Sequence, residues 1–181
     1  AFNTLRLHTT NIEQPSLGFQ AKDRGIILHE ILETTWNTLQ SHATLVGYEK
    51  SALTQLIQKI VDSALLHFTH KKPLTMQPYF VALEKQRLCK LTLDWLELEK
   101  TRPPFSIKSI EKNQTAEFAG IQFKHRTDRI DVLADGSLLI IDYKTGRVTT
   151  NHWLGERPQD PQLPLYYLTH PQAVAGITYA Q

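Results

Sequence analysis

The chain has 181 residues, of which 41% are hydrophobic, and its formal net charge is +2. This length suffices to bury one sizeable core, so we expect residues 1–181 to form a single domain, and the mildly basic charge is compatible with a nucleic-acid partner without requiring one. Because Cys89 is the only cysteine, an internal disulfide, a multi-cysteine zinc site and an iron–sulfur cluster held by four thiolates of this chain are excluded.

The N-terminal half is predicted to be mostly helical. Residues 1–22 show no sustained periodicity and are interpreted as an extended lead-in, whereas residues 23–101 carry apolar residues at three-to-four spacing. Asp23 is placed to cap the first of three predicted helices, and Pro73 and Pro78 separate the second from the third. The third helix is predicted from a periodic pattern that consists of Phe80, Leu83, Arg87, Leu88, Leu91, Trp95 and Leu98.

Residues 102–181 are predicted to form the sheet, because β-type segments replace the helical pattern after Pro103. The predicted strands lie at 105–111, 116–132 and 137–143. Asp135-Gly136 reads as a hairpin turn between the last two. A polar loop, a helix and a final strand are predicted at 151–160, 162–168 and 173–179. This order of elements predicts a mixed α/β fold in which helices flank the sheet.

The run from Ile141 to Gly146 carries a chemical signal. Residues i and i+2 of a strand project from one face about 7 Å apart, so Asp142 and Lys144 point into the same space while Tyr143 points away. The preceding residues 138–141 are continuously apolar, as expected of a central strand covered on both faces, so the charged pair is exposed only at the strand end. On its own, the pair is better explained as an ordinary salt bridge.

Two aspartates on the preceding predicted strand support a second interpretation of this pair. Asp128 and Asp131 differ by three positions, so a regular strand directs only one of them towards Asp142. Asp128 shares its face with Ile130 and Val132, which makes it the inward acid unless a bulge reverses the choice. Asp131 is then left to pair with a neighbouring arginine or to begin the turn. Two unpaired carboxylates this close repel each other, and a divalent cation between them would use the oxygen ligands that magnesium prefers.

His29 and Gly25 lie about one turn apart near the start of the first predicted helix. A glycine at this point is unfavourable unless the backbone closely approaches another segment. Taken alone, His29 is best explained as a helix-surface histidine paired with Glu33 at i,i+4. His29-Glu30 also begins the zinc-protease pattern, but Glu33 stands where that pattern needs its second histidine. The remaining interpretation is a metal site shared by this helix and the strands.

Gln162 and Tyr166 lie four residues apart, on one face of the last predicted helix. Such a pair can hydrogen-bond a phosphate or stack on a base. For the neighbouring Tyr167, an aromatic side chain packed on the sheet is an equally good explanation.

Four motifs, in this order, resemble the RecB-type nucleases of the PD-(D/E)xK superfamily. They are Gly25 with His29 in Gly-x-x-x-His, Asp-Arg-Ile-Asp over 128–131, Ile-Asp-Tyr-Lys-Thr-Gly over 141–146, and Gln162 with Tyr166 in Gln-x-x-x-Tyr. The resemblance spans about 24–167, and residues 88–105 look further like the C-terminal nuclease domain of bacterial AddB-like DNA repair proteins. The segment before Asp128 departs from the family's common Gly-Arg-Ile. The resemblance implies a restriction-endonuclease-like mixed sheet flanked by helices, with an N-terminal helical half.

The resemblance also implies a metal site and a catalytic set. His29, Asp128 and Asp142 would bind Mg²⁺, for which Mn²⁺ can substitute, together with the backbone carbonyl of Tyr143. Lys144 would orient or activate the attacking water and stabilise the developing negative charge. Asp128, Asp142 and Lys144 are thus the implied catalytic residues.

Three further residues have supporting roles in this picture. Gln162 and Tyr166 would position the DNA strand or the active-site lysine, and Glu111 is a candidate additional acid. Several relatives hold an iron–sulfur cluster through cysteines that this chain lacks, so we expect no such cluster.

The implied function is a Mg²⁺-dependent deoxyribonuclease, an exonuclease that acts on single-stranded DNA ends in repair and recombination. We expect the chain to be a piece of a larger helicase-like protein, or to work with a helicase subunit, in the bacterial cytoplasm. No membrane partner is expected, because no stretch approaches the roughly 20 apolar residues of a membrane span. One alternative is a nuclease-derived DNA-binding or scaffolding module that no longer cuts, although the acids and the lysine are all present. An RNA-directed nuclease is another.

Overall fold

The computed structural model describes residues 18–71, 77–118, 120–153, 161–170 and 173–181. Four described helices come first, and they are α1 (Ala21–Leu39), α2 (His42–Gly47), α3 (Lys50–Lys71) and α4 (Pro78–Lys100). The later elements are β1 (Phe105–Phe118), β2 (Ile121–Leu133), β3 (Leu138–Tyr143), a 3-10 turn (Thr150–Trp153), α5 (Gln162–Thr169) and β4 (Val174–Ala180). None of the described helices is both long enough and apolar enough to cross a membrane.

The described strands form one mixed sheet in the order β1-β2-β3-β4. The first two pairings are antiparallel and β3 pairs with β4 in parallel. The prediction of a mixed α/β fold with a helical N-terminal half is confirmed, and the arrangement is consistent with a restriction-endonuclease-like fold. The hairpin turn at Asp135-Gly136 is confirmed as well, since Gly136 has φ +82° between β2 and β3.

Strand β3 is buried on both faces, as its continuous apolar run predicts. On one face, Ile140 packs in a cluster with Leu163 of α5. On the other face, Ile141 packs in a cluster with Leu32 of α1. The two helices therefore cover opposite faces of β3, and every residue of the strand except the partly buried Leu139 is buried.

The helical half forms the larger core, and α1 contacts both this core and strand β3 of the sheet. The buried apolar residues of α1 pack with those of α3 and α4. The cluster includes Ile27, Ile31, Trp36 and Leu39 of α1, Leu53, Ile57 and Val61 of α3, and Leu88 and Leu96 of α4. Helix α1 begins at Ala21, two residues before the predicted start, so Asp23 is not the N-cap. Its carboxylate accepts a hydrogen bond from the backbone N–H of Gln20 at 3.1 Å, so Asp23 stabilises the helix start from within the first turn.

The predicted elements differ from the structure in two places, each for a physical reason: one strand is divided and one helix is missed. The predicted strand over 116–132 is divided between β1, which also contains the predicted strand at 105–111, and β2, because the chain turns at Gly120, where φ is +78°. The β-type pattern continues on both sides of this turn, and a single glycine marks it. Helix α2 is not predicted, since its six residues are too short to show periodicity. The predicted lead-in up to residue 17, Pro73 and the predicted loop from 154 to 160 lie outside the described residues.

The predicted apolar pattern of α4 does not describe its buried face. The helix buries Glu84, Leu88, Thr92, Leu96 and Glu99, while Leu83, Leu91 and Leu98 are exposed. The buried acids have arginine partners: Glu84 pairs with Arg24 and Arg87, and Glu99 pairs with Arg102 and Arg129. Apolar periodicity cannot identify a face on which ion-paired acids occupy core positions.

Candidate metal centre

The C-terminal end of β3 opens into a cleft of about 1110 Å³. Helix α1 lines it on one side, the β1–β2 hairpin on the other, and α5 contributes at the edge. Most of the residues that the sequence singles out line this cleft, namely Gly25, His29, Glu111, Asp128, Asp142, Tyr143, Lys144 and Gln162. Tyr166 and Asp131 do not line it.

Three of these residues come close enough to share one ion. One potential ligand atom from each of His29, Glu111 and Asp128 lies within 4.8 Å of the other two. His29 Nδ1 is 3.2 Å from Glu111 Oε1 and 3.6 Å from Asp128 Oδ1. They come from α1, β1 and β2, so the cluster exists only in the folded protein.

Glu111 enters the cluster through the geometry of β1. Around it, Ile110 pairs with Arg129 and Lys112 pairs with Thr127, so Glu111 faces Asp128 across the hairpin. An irregularity between Ile107 and Ser109 sets this register. Glu111 itself has φ +48°, a left-handed conformation that an L residue adopts at a cost of about 1 kcal/mol or more.

The helix-surface explanation of His29 does not hold. Its ring nitrogens face Glu111 Oε1 and the carbonyl oxygen of Tyr143, which lies 3.1 Å from Nε2. Gly25, one turn earlier, faces the segment after β3, where an added Cβ would lie 3.5 Å from Thr145 Oγ1, an ordinary van der Waals contact. A side chain would fit at this position, so the close backbone approach expected from this glycine is not found.

Asp128 is a buried carboxyl group whose ionised form the surrounding protein only partly stabilises. Burial raises the pKa of Asp128 to about 6, against the opposing effects of His29 and the Tyr143 N–H, and Asp142 and Glu111 raise it further. The hydrogen bond to Glu111 is the main reason why the pKa of His29 is raised, and burial opposes it. Both ring nitrogens face oxygen acceptors, so the protonated imidazolium fits this site, and a cation could take the place of that proton.

Asp142 and Lys144 project from one face of β3, as the strand parity predicts. Asp142 is buried, and its Oδ2 lies 2.7 Å from Lys144 Nζ. Asp142 is not one of the three residues that meet within 4.8 Å, although its charge is felt at Asp128. Of the four ligands implied by the resemblance, His29, Asp128 and the Tyr143 carbonyl therefore come together, with Glu111 beside them.

Tyr143 contacts the cleft through its backbone and a buried ion network on the other face of the sheet through its hydroxyl. Its backbone N–H donates to Asp128 Oδ2 at 2.7 Å, and its carbonyl faces His29. On the opposite face its hydroxyl accepts a hydrogen bond from Arg129 Nη1 at 3.2 Å. The fully buried Arg129 guanidinium also lies 3.8 Å from the centroid of the Trp36 ring. Tyr143 is thus held from both sides of β3.

Asp131 belongs to that network and not to the cleft. Both of its carboxylate oxygens accept hydrogen bonds from Arg129, and Arg102 adds another at 2.9 Å. Asp131 is fully buried on the face opposite Asp128. The arginine partner predicted for Asp131 from strand parity is confirmed.

Removing the Tyr143 hydroxyl tests how strongly the buried network stabilises the fold. Tyr143→Phe leaves one buried N–H of Arg129 without its acceptor, so we expect the free energy of unfolding to fall by about 2 kcal/mol. Urea denaturation measures it. Tyr167→Phe is the matched control, because Tyr167 is 48% exposed. Equal stability of the two variants would mean that this hydrogen bond contributes little.

Gln162 and Tyr166 of α5 lie in different environments. Gln162 lines the cleft, whereas Tyr166 is buried in the cluster beneath α5. The Tyr166 hydroxyl donates to the backbone carbonyl of Arg126 at 3.2 Å. Tyr166 therefore fixes the β2 backbone near the cleft, and the aromatic side chain that packs on the sheet is Tyr166 and not Tyr167. Sequence reasoning gave Arg126 no role, although its position two residues before Asp128 places it on the same face of β2.

Comparison with known proteins finds a family match for the chain. The family model of the PD-(D/E)XK nuclease superfamily matches residues 3–180. The match covers nearly the whole chain and includes every residue of the cleft. A search of curated proteins found no significant match.

Proposed function

Because the chain belongs to the PD-(D/E)XK nuclease superfamily, we propose that it is a metal-dependent deoxyribonuclease that hydrolyses DNA phosphodiester bonds. The observation that carries this proposal is the convergence of His29, Glu111 and Asp128 at the open end of β3, beside the Asp142–Lys144 pair. Residues 1–181 would form one nuclease domain.

The donor set fits a divalent cation. An imidazole and two carboxylates converge within 4.8 Å. Burial, with smaller contributions from Asp142 and Glu111, raises the pKa of Asp128, and a bound cation would lower it again. The carboxylate and carbonyl oxygens of this set are the ligands that suit Mg²⁺ and Mn²⁺. His29, Glu111 and Asp128 would hold the ion with the Tyr143 carbonyl, and Asp142 is a further ligand in this proposal.

The residues around the ion divide the remaining work. A bound divalent cation would supply Lewis acidity to a phosphate oxygen and lower the pKa of a coordinated water. Lys144 would donate hydrogen bonds from Nζ to the attacking water or to the phosphate oxygens as negative charge develops. Asp142 orients that ammonium through its 2.7 Å contact. Gln162, at the edge of the cleft, would hydrogen-bond the DNA strand.

The finer assignment concerns substrate and context. We propose that the enzyme uses Mg²⁺, with Mn²⁺ as a substitute, and that it is an exonuclease acting on single-stranded ends in DNA repair and recombination. The resemblance to RecB-type and AddB-like nucleases supports this, together with a helicase region or subunit as partner and a bacterial cytoplasmic location.

A cleavage assay with defined ends tests the proposed function. We expect end-labelled single-stranded DNA to be degraded with Mg²⁺ or Mn²⁺ and to stay intact in chelator, because the clustered carboxylates need a cation to accept a phosphate beside them. Gel electrophoresis of the products measures this. A circular single strand is the control for end dependence, and it should resist an exonuclease.

Each other outcome has a distinct meaning. DNA binding without metal-dependent products would favour a nuclease-derived binding module. Cleavage of the circle would replace exonuclease action by endonuclease action. Faster cleavage of a labelled RNA of the same sequence would contradict the choice of DNA.

A further inference from the structure

Arg126 lines the cleft and forms an ion pair with Glu111, a member of the metal cluster, by which we mean the candidate ligands His29, Glu111 and Asp128. Among the described residues that line the cleft, Arg126 and Lys144 are the lysines and arginines. Each forms an ion pair with a carboxylate of the site, Lys144 with Asp142 and Arg126 with Glu111. Because Lys144 serves the reacting atoms in the proposed function, Arg126 is the cation that remains for substrate.

The backbone of Arg126 is fixed while its side chain is accessible. Arg126 pairs with Asn113 in the β1–β2 ladder, and the buried Tyr166 hydroxyl holds its carbonyl oxygen at 3.2 Å. The Arg126 side chain is nevertheless 56% exposed, whereas its partner Glu111 is 5% exposed. The guanidinium can therefore turn towards a ligand in the cleft from an anchored base.

Resting on the proposed nuclease function, we propose that Arg126 binds a backbone phosphate of the DNA substrate. The Glu111 carboxylate competes with this phosphate for the Arg126 guanidinium. The planar guanidinium fork binds phosphate oxygens bidentately, which a lysine cannot do. Arg126 shares its strand face with Asp128, so this phosphate is held next to the metal cluster.

Glu111 can release Arg126 without being left unpaired. Its Oε1 faces His29 Nδ1 at 3.2 Å, while its other oxygen takes the arginine. When a phosphate takes the guanidinium, Glu111 keeps its histidine partner inside the cluster. The exchange replaces one anion by another at Arg126, so it requires no unpaired buried charge.

Binding of a fluorescently labelled single-stranded oligonucleotide tests the proposal, using the full chain in chelator so that no cleavage occurs. We expect Arg126→Ala to weaken binding about tenfold at low salt and to lower the slope of log affinity against log salt by about 0.7, the value for one lost phosphate contact on a single strand. Arg126→Lys should recover only part of the affinity.

Glu111→Gln should change DNA affinity in the opposite direction. A merely structural role of Arg126 would not produce this increase. Removing the competing carboxylate should strengthen DNA binding several-fold, and Arg126→Ala in the same chain should abolish that gain. Asp62→Asn is the matched control, because Asp62 pairs with Lys85 at 2.6 Å outside the cleft and its loss changes the net charge equally.

The outcomes separate this proposal from the nuclease function. If Glu111→Gln and Asp62→Asn strengthen binding equally, or if Arg126→Ala binds DNA with unchanged affinity and salt slope, the phosphate site is wrong even though the enzyme cleaves. Absence of single-strand binding by the unmodified chain at low salt would also overturn it. Binding that depends on Arg126 without metal-dependent cleavage would leave the phosphate site standing and remove the nuclease. Thermal unfolding of each variant confirms that it is folded.

Discussion

Lys144→Ala is expected to reduce metal-dependent DNA cleavage by about a thousandfold or more while the protein still binds DNA. The Lys144 ammonium lies 2.7 Å from Asp142 at the end of β3 and lines the cleft next to the metal cluster. Alanine removes the donor that would face the attacking water and the phosphate oxygens. Since positioned donors act chiefly on the transition state, the turnover rate should fall far more than the affinity for substrate.

The measurement compares single-turnover cleavage rates with DNA affinity for the same preparations. Lys85→Ala is the matched control, because Lys85 is also a partly exposed lysine paired with an aspartate, and it lies outside the cleft. It should cleave at the unmodified rate. Lys144 is partly exposed, so the loss of fold stability should be small, and thermal unfolding checks it. A Lys144→Ala protein that cuts DNA as fast as the unmodified chain would remove Lys144 from the mechanism.

The strand that carries this lysine could be predicted in detail because its constraints are local. A continuous apolar run implies burial on both faces, and Ile140 and Ile141 pack on opposite sides as expected. Strand parity alone places Asp142 and Lys144 together. The same parity separates Asp128 from Asp131, and the structure puts Asp131 in the arginine network.

The rest of the site depends on contacts between distant segments. Glu111 reaches the cluster through a strand irregularity and a left-handed backbone, neither of which has a signature in residue type. The bond from Tyr166 to Arg126 joins α5 to β2, so spacing within α5 cannot reveal it. Helix α4 is a third case, because its buried acids are stabilised by arginines elsewhere in the chain. The catalytic and ligand roles themselves stay predictions.

Asp128 offers a test of the metal centre that does not depend on catalysis. Its pKa is raised from 3.8 to about 6, chiefly by burial. Well below pH 3.8 the carboxyl group is protonated in both the folded and the unfolded chain, so it has no effect on stability. As the pH rises from 4 to 6, the unfolded chain loses this proton first, and the folded state loses stability until its own pKa is passed. Above pH 6 the ionised group costs about 3 kcal/mol.

His29 changes stability in the same direction. Its pKa is raised, chiefly by its hydrogen bond to Glu111, so the stability that its charge contributes is lost as the pH rises through the folded-state value above 6.5. Both groups therefore contribute less stability to the metal-free protein at pH 8 than at pH 5. A bound cation should reverse this loss at pH 8, since a ligand that binds only the folded state stabilises it.

Asp128→Asn should therefore make the metal-free protein more stable and at the same time unresponsive to metal. At pH 8 in chelator, we expect its melting temperature to exceed that of the unmodified chain by roughly 6–10 °C, and the gain should vanish towards pH 4. Adding Mn²⁺ or Mg²⁺ should raise the melting temperature of the unmodified chain and leave that of Asp128→Asn almost unchanged. Asp62→Asn, at an exposed aspartate outside the cleft, should show neither effect. If Asp128→Asn melts below the unmodified chain at pH 8 in chelator, the buried carboxylate is not a site of uncompensated charge, and the argument for a cation between His29, Glu111 and Asp128 loses its electrostatic basis.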